Sequence, residues 1–345
     1  MYKRLKDLNA EMFAVRQQAD VKGKSIGWSW DMLPFTIKEG ATTYIGAAPA
    51  SGKTELWFEF LINLSCLHGW NHVVFSPETG SSAEIFAELC YKYIGKPYVQ
   101  GKNSMTNGEQ ISAEMFVNEH FIVIDPIDED LTITKFYQLV DQIEKQEGIK
   151  IHTTTIDPWN ELTEEFLPSD LGREDKYLSR ILGLVRKNAR KTGRHNCVIN
   201  HVRDQPMVSA KTIAGTDISY FPMPSARDFA GGQVWFRKGL SVLIPWRPPY
   251  GLPDAEGTGG AEKNEVHLKV AKSKPKGVSK NGVYKLFLDI ERYQYYMLDF
   301  KGNRVYADRG KTYKPEAQKK IQIPRDGQIE TTSEKLRRLA TQNPF

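Results

Sequence analysis

The chain has 345 residues, of which 40% are hydrophobic and 26% charged, a balance typical of a globular protein with a sizeable core. No apolar stretch approaches the roughly 18 residues that a membrane-spanning helix needs, which excludes an integral membrane protein. The net charge of +5 allows a polyanionic partner without demanding one, and three cysteines without metal-ligand spacing argue against a disulfide scaffold. We expect a cytoplasmic protein with no membrane partner.

The first 25 residues are predicted to form an amphipathic helix followed by a polar linker. Leu5, Leu8, Met12 and Phe13 recur near helical spacing. A helix with one apolar face needs a surface to pack on. We expect that surface on the rest of the chain or on a neighbouring subunit.

From residue 26 to about residue 239 the sequence alternates between short apolar runs and segments with a period of 3.6 residues. This alternation predicts an α/β fold with a mostly parallel sheet and flanking crossover helices. Strands are predicted at 42–45, 73–76, 121–124 and 197–200, with a further strand leading to Asp157.

After Gly239 the pattern changes to strands joined by short loops, predicted at 240–244, 266–271, 283–288 and 293–298. They are expected to close the same sheet as a C-terminal antiparallel β segment. Residues 309–345 are polar and are expected to be disordered. The sequence therefore predicts a docking helix and linker at 1–25, one α/β domain at 26–308 and a tail at 309–345.

One loop has the composition and the context of a phosphate-binding site. It follows a strand and opens a helix, and small residues in such a loop let backbone N–H groups surround phosphate oxygens. Lys53 is predicted to reach the β- and γ-phosphates of ATP, and the Thr54 hydroxyl to bind Mg²⁺. The loop comprises Ala47, Ala48, Pro49, Ala50, Ser51, Gly52, Lys53 and Thr54.

Hydrolysis of ATP also needs a carboxylate that orients and polarises a water molecule. Glu78 follows the strand at 73–76, and open α/β sheets place their ligands at the carboxyl ends of strands. The alternative is a structural carboxylate at the N-terminus of the next helix. The residues alone leave both interpretations open.

The carboxylate that holds the magnesium shell has two candidates. Asp125 ends a more apolar strand but precedes an acidic loop, whereas Asp157 ends a threonine-rich strand and precedes Trp159. Residue pattern alone does not decide between them. His201, at the end of another strand, is a candidate contact to the γ-phosphate, with a structural polar role as the alternative.

Together these segments resemble the RecA-like hexameric replicative DNA helicases of the DnaB and Twinkle type, without a primase half. The Ala47–Thr54 loop has the form found in DnaB-type helicases, and 75–78 resembles the strand that delivers their catalytic glutamate. The segment 157–162 resembles the magnesium-aspartate motif of Twinkle-like enzymes, which favours Asp157. Further similar segments are Asn200–Arg203, Asp228–Trp235 and Lys272–Lys274.

The resemblance implies an ATP- and Mg²⁺-dependent helicase that forms a ring of six around single-stranded DNA, moves 5′→3′ and serves phage replication beside a separate primase and DNA polymerase. Lys272 and Lys274 then reach the neighbouring subunit's γ-phosphate, although Lys274 stands where many relatives have arginine. Loops between His201 and Asp228 are expected to contact DNA through Arg203, Lys211 and Arg227.

Two other hypotheses remain open from the sequence. The first is a RecA/RadA-like DNA-dependent ATPase, a recombinase or loader that does not unwind strands. The second is a nucleotide-binding regulatory protein without turnover. The segment 157–162 disfavours the first hypothesis, and Glu78 disfavours the second because a protein that only binds nucleotide needs no positioned base.

Overall fold

Ten strands of the described chain form one mixed sheet. The structure is a computed structural model that describes residues 4–16, 23–125, 130–254, 257, 259–275 and 277–310. The sheet strands are β3 Thr42–Ala47, β4 His72–Phe75, β5 Phe121–Val123, β6 Thr153–Ile156, β7 His195–His201, β10 Ser241–Trp246, β11 Glu265–Ser273, β12 Gly282–Asp289, β13 Gln294–Leu298 and β14 Arg304–Tyr306. Their order across the sheet is β14-β13-β12-β11-β10-β3-β7-β6-β4-β5. Two smaller pairs are β1 Lys24–Ser25 with β2 Thr36–Ile37, and β8 Val208–Lys211 with β9 Asp217–Tyr220.

The six strands from β10 to β5 are parallel, and β11 to β14 add to one side of them as antiparallel neighbours. Because the parallel strands run the same way, the loops after β3, β4, β6 and β7 all emerge at one edge of the sheet, the carboxyl edge. The fold class predicted from the sequence, a mostly parallel sheet closed by an antiparallel segment, is confirmed.

Helices cover both faces of the parallel strands, which is why most residues of those strands are buried on both sides. The helices are α1 Asn9–Arg16, α2 Lys53–His68, α3 Ser82–Ile94, α4 Asn107–His120, α5 Ile133–Glu147, α6 Glu174–Thr192 and α7 Val234–Lys238. One core layer lies beneath α2, α3 and α4, and the other beneath α5, α6 and α7. None of the described helices is long and apolar enough to cross a membrane.

The three threonines of β6 are fully buried and each has a side-chain hydrogen-bond partner. Thr153 lies 2.7 Å from His72 Nδ1, Thr154 donates to Asn196, and Thr155 accepts from the indole N–H of Trp57. A buried hydroxyl without a partner costs about 1–3 kcal/mol, so these bonds explain how a polar strand occupies the middle of the sheet.

Helix α2 is buried along most of its length and contacts the last described segment of the chain. Arg309 donates to Glu59 at 2.8 Å and to Asn63 at 2.7 Å, and both acceptors lie on buried turns of α2. Glu59 is 1% exposed, so its charge requires this partner. The segment that follows β14 is therefore fixed to the helix that begins at Lys53.

Single hydrogen bonds fix the ends of two helices. Gly69 ends α2 in the left-handed conformation, and Ser81 and Glu84 form a capping box at α3. The predicted N-terminal helix is a 3₁₀ turn at Leu5–Leu8 followed by α1. Most of the predicted linker (17–22), part of the acidic loop (126–129) and the tail from residue 311 lie outside the described residues.

Candidate functional site

The loop between β3 and α2 curls around the N-terminus of the helix. Ala50 and Gly52 both have left-handed backbone conformations, with φ of 58° and 78°. Ser51 N donates to the Ala48 carbonyl, and Lys53 begins α2 directly after Gly52. The unpaired N–H groups of the first helical turn therefore face the concave side of the loop at the carboxyl edge, where an anion is favoured.

Two aromatic side chains pack against glycines in and next to this loop. A Cβ atom at Gly46 would lie 2.2 Å from the ring of Phe229, and one at Gly52 would lie 2.9 Å from the hydroxyl of Tyr295. Both rings are buried. Glycine is thus required at Gly46 for close packing and at Gly52 for both packing and backbone conformation.

Thr54 and Asp157 meet across the carboxyl edge. The Thr54 hydroxyl donates to Asp157 Oδ2 at 2.6 Å, and Ser76 donates to the same oxygen at 3.3 Å. Burial raises the pKa of Asp157, while these two hydrogen bonds and the charge of Lys53 oppose the rise. The carboxylate is held next to the first turn of α2, between the strands that end at Phe75 and His201.

Asp125, the rival candidate, lies elsewhere. It follows the edge strand β5, is exposed, and accepts a short hydrogen bond from Ser82 at the start of α3. Strand order explains the difference, because β6 lies between β7 and β4 whereas β5 is the outermost strand. Of the two aspartates, the structure places only Asp157 against Thr54.

Glu78 and His201 face each other at the same edge. Glu78 lies on a single 3₁₀ turn, Pro77–Thr79, directly after β4, and its side chain is 41% exposed. His201 ends β7, and its Nε2 lies 3.2 Å from Glu78 Oε2 and 3.3 Å from Oε1. The exposed carboxylate is thus within reach of solvent and of one polar neighbour.

The residues fit a magnesium–nucleoside triphosphate. Among the described residues, Lys53 Nζ has no hydrogen-bond partner, so its ammonium is available at the mouth of the loop. No three His, Cys, Asp or Glu side chains in the described parts of the chain are arranged to hold a metal on their own. That is compatible with Mg²⁺, which proteins commonly bind through one or two side chains together with substrate phosphates and water.

Lys272 and Lys274 are not part of this cluster. They lie at and just beyond the end of β11, which runs antiparallel and therefore ends beside Ser241 at the amino edge of the parallel strands. Lys272 Nζ is bonded to the carbonyl oxygens of Phe236 and Arg237 at the end of α7, whereas Lys274 is exposed. Six-residue strands separate the two edges by roughly 17–20 Å.

The three basic residues predicted to contact DNA lie in two places. Arg203 donates to the carbonyl of Arg227, and both are exposed at the base of the segment that leaves His201. Lys211 lies further out, at the end of β8. The sequence predicted loops here, but the segment carries the hairpin formed by β8 and β9, whose tip bonds to Gly251 through Ile213.

Sequence patterns missed four residues of the site. Gly46 lies inside β3, and a glycine inside a strand indicates close packing. Nothing in the sequence, however, identifies Phe229 or Tyr295 as the packing partners. Ser76 and Thr79 also escaped notice, because a serine and a threonine near a strand end are common.

No protein-family model matches the sequence, and no curated protein matches it. The fold is similar to a solved structure described as the ATPase domain of G40P, with a TM-score of 0.64 and 15% identity over 87% of this chain and 100% of that one. It is also similar to a DnaB-like replicative helicase described together with its interactions with primase, with a TM-score of 0.62 and 14% identity over 85% of this chain and 68% of that one. The chain therefore has the RecA-like fold of replicative-helicase ATPase domains.

Proposed function

We propose that this chain is an ATP-dependent DNA helicase that works as a ring-shaped motor on single-stranded DNA. The observation that carries the proposal is the 2.6 Å contact between Thr54 and Asp157 at the N-terminus of α2, with Glu78 and His201 facing each other beside it. A fold shared with DnaB-like ATPase domains supports the choice of a motor over a metabolic kinase.

Each side chain has a role that follows from its position. The loop amides and Lys53 hold the phosphate tail, and Thr54 and Asp157 hold the magnesium shell. Bound Mg²⁺ supplies charge neutralisation for the β- and γ-phosphates. Glu78 accepts a proton from the attacking water. Its carboxylate is exposed, so water can reach it, and the short turn that carries Glu78 fixes its position. His201 lies beside the γ-phosphate. Its Nε2 bonds either to that phosphate or to the Glu78 carboxylate.

The proposal requires more than one copy of the chain. Lys274 lies at the opposite edge of the sheet from Lys53, so it acts on the site of a neighbouring subunit. Helix α1 and the turn before it expose Leu5, Met12 and Phe13, an apolar surface suited to docking on that neighbour. A ring of six is the assembly implied by the family resemblance.

The β8–β9 hairpin and its base are the proposed DNA contact. Lys211 and the exposed guanidinium groups of Arg203 and Arg227 supply positive charge, and Phe221 is an exposed aromatic side chain beside β9. Positive charge for the backbone and rings for the bases are the two elements of sequence-independent binding to single strands.

Mass measurement and strand unwinding test the proposal. With ATP analogue, Mg²⁺ and single-stranded DNA, we expect a mass of six chains, and with ATP we expect separation of a forked duplex that carries a 5′ tail. DNA-stimulated ATP turnover without unwinding would instead indicate a RecA/RadA-like ATPase. Nucleotide binding without any turnover would indicate a regulatory protein.

A further inference from the structure

Ser76 lies between Asp157 and the turn that carries Glu78. It is buried, at 1% exposure, directly after β4. Its hydroxyl lies 3.3 Å from Asp157 Oδ2, to which it donates, and 2.7 Å from Thr79 Oγ1. Thr79 is the residue next to Glu78. A chain of two hydroxyl groups therefore runs from Asp157 to the turn that carries Glu78.

The direction of the hydrogen bonds in this chain is fixed. A hydroxyl has one proton to donate, and Ser76 gives its proton to the carboxylate. The bond between the two hydroxyls must then be donated by Thr79. An ionised Asp157 thereby orients Ser76, and Ser76 orients Thr79.

The turn that presents Glu78 is also held at both ends. Pro77 restricts its first φ angle, and Thr79 N donates to the Ser76 carbonyl at 3.1 Å. Gly80 has φ of 131°, and a Cβ atom there would lie 2.5 Å from Glu84 Oε2. With the backbone constrained on either side, the Thr79 hydroxyl is the contact that links the turn to Asp157.

We propose that Ser76 and Thr79 form a hydroxyl relay that positions Glu78 relative to Asp157. This proposal rests on the proposed function, since it concerns the same site. Both are positioning residues, because Ser76 contacts Asp157 and Thr79 lies on the turn that carries Glu78. Loss of the relay affects the rate of turnover more than the binding of nucleotide.

Two substitutions at Thr79 separate a hydrogen-bonding role from a steric one. Thr79→Val keeps the shape and removes the hydroxyl, whereas Thr79→Ser keeps the hydroxyl and removes the methyl group. We expect Thr79→Val to lower kcat for ATP by about tenfold with KM within about twofold, and Thr79→Ser to stay within about twofold of the wild type in both. Equal kcat in Thr79→Val and wild type, or equal losses in both variants, would overturn the relay.

A second readout does not depend on turnover. The midpoint of thermal unfolding is measured against Mg²⁺ concentration in the presence of a non-hydrolysable ATP analogue. Ser76→Ala removes a donor to Asp157, and we expect the half-saturating Mg²⁺ concentration to rise about threefold, while Thr79→Val leaves it unchanged. No rise in Ser76→Ala contradicts the proposal.

Ser65→Ala is the matched control. Ser65 is buried and its hydroxyl also has two partners, the Trp70 carbonyl and His72 Nε2, each at 2.9 Å, but it lies at the amino edge. This variant is expected to change neither kcat nor the Mg²⁺ requirement, and a change as large as that of Ser76→Ala would refute a specific relay. A wild type without Mg²⁺-dependent turnover refutes the proposed function itself, whereas an active wild type matched by Thr79→Val refutes only the relay.

Discussion

Both edges of the parallel sheet carry ionisable side chains, but the two edges differ in how these side chains are hydrogen-bonded. At the amino edge a histidine stands at or just before the start of each of four adjacent strands, and each ring is hydrogen-bonded inside the protein. These histidines are His195, His152, His72 and His120 for β7, β6, β4 and β5. At the carboxyl edge, Glu78 is exposed, and the half-buried Lys53 makes no hydrogen bond or ion pair with any residue that the structure describes.

The difference separates polar groups that are bonded inside the protein from polar groups that the proposed function uses. Burial lowers the pKa of all four amino-edge histidines, and for His195 the pKa falls to about 4. Neutral, satisfied rings join strands together. The carboxyl edge instead brings together a cation, carboxylates and a helix N-terminus, the combination that phosphate chemistry needs. Substitutions at the two edges should therefore have separable effects on turnover and on stability.

The largest expected effect is on turnover at the carboxyl edge. Glu78→Gln removes the proposed base while keeping the size of the side chain, and we expect kcat for ATP to fall by about 100-fold or more without a loss of thermal stability. Glu119→Gln is the control, since Glu119 is an exposed carboxylate on α4, away from the carboxyl edge. Steady-state assays should show it within about twofold of wild type. Unchanged turnover in Glu78→Gln would remove Glu78 from the mechanism.

The next effect is acid destabilisation from the amino edge. A histidine whose folded pKa is depressed binds more protons when unfolded, so its stabilising contribution is present above about pH 6.5 and is lost as the pH falls towards the folded value. For His195, whose folded pKa is about 4, that loss amounts to about 3 kcal/mol of unfolding free energy. Denaturant unfolding between pH 7.5 and pH 4.5 measures the slope.

Glu88 has the opposite effect on stability at acid pH and provides a control for the histidine prediction. Burial raises the pKa of Glu88 to about 7, so the folded protein gains stability from this group as the pH falls through that value. Glu88→Gln removes the opposing contribution, and we expect the acid loss to become steeper than in wild type. A stability profile that stays flat in both proteins would show that the histidines are not buried as described.

The smallest expected effect concerns one hydrogen bond at the amino edge, between Thr153 and His72. Thr153→Val keeps the shape of the side chain but leaves His72 Nδ1 without its 2.7 Å partner in the buried layer. We expect the free energy of unfolding to fall by about 1–2 kcal/mol while kcat for ATP per folded molecule is unchanged. Loss of turnover without loss of stability would contradict the separation of the two edges.

Local features of this fold could be predicted from the sequence because neighbouring residues determine them. The loop ending in Lys53, the end of α2 at Gly69 and the capping box of α3 each depend on a few adjacent residues. The fold class followed from the alternation of strand and helix patterns. The family resemblance also identified DnaB-like proteins, and the structural similarity supports this at the level of the fold.

Features that depend on strand order could not be predicted from pattern alone. Asp125 and Asp157 both follow predicted strands, and only the position of β6 between β7 and β4 brings Asp157 to Thr54. Phe229 and Tyr295 are distant in the chain from the glycines they pack on, so no local signal marks them. The hairpin of β8 and β9 consists of two exposed strands of four residues each, and strands this short show too little alternation of apolar and polar residues to be recognised.

Calorimetric titration with ATP in the presence of Mg²⁺ tests the central claim most directly. We expect the wild-type chain and Lys96→Ala, a change in a partly exposed ion pair with Glu109, to bind nucleotide alike. Lys53→Ala should lose at least about tenfold in affinity, because its ammonium is the cation at the loop. No binding by the wild type, or equal binding by Lys53→Ala, would contradict a phosphate site at the carboxyl edge.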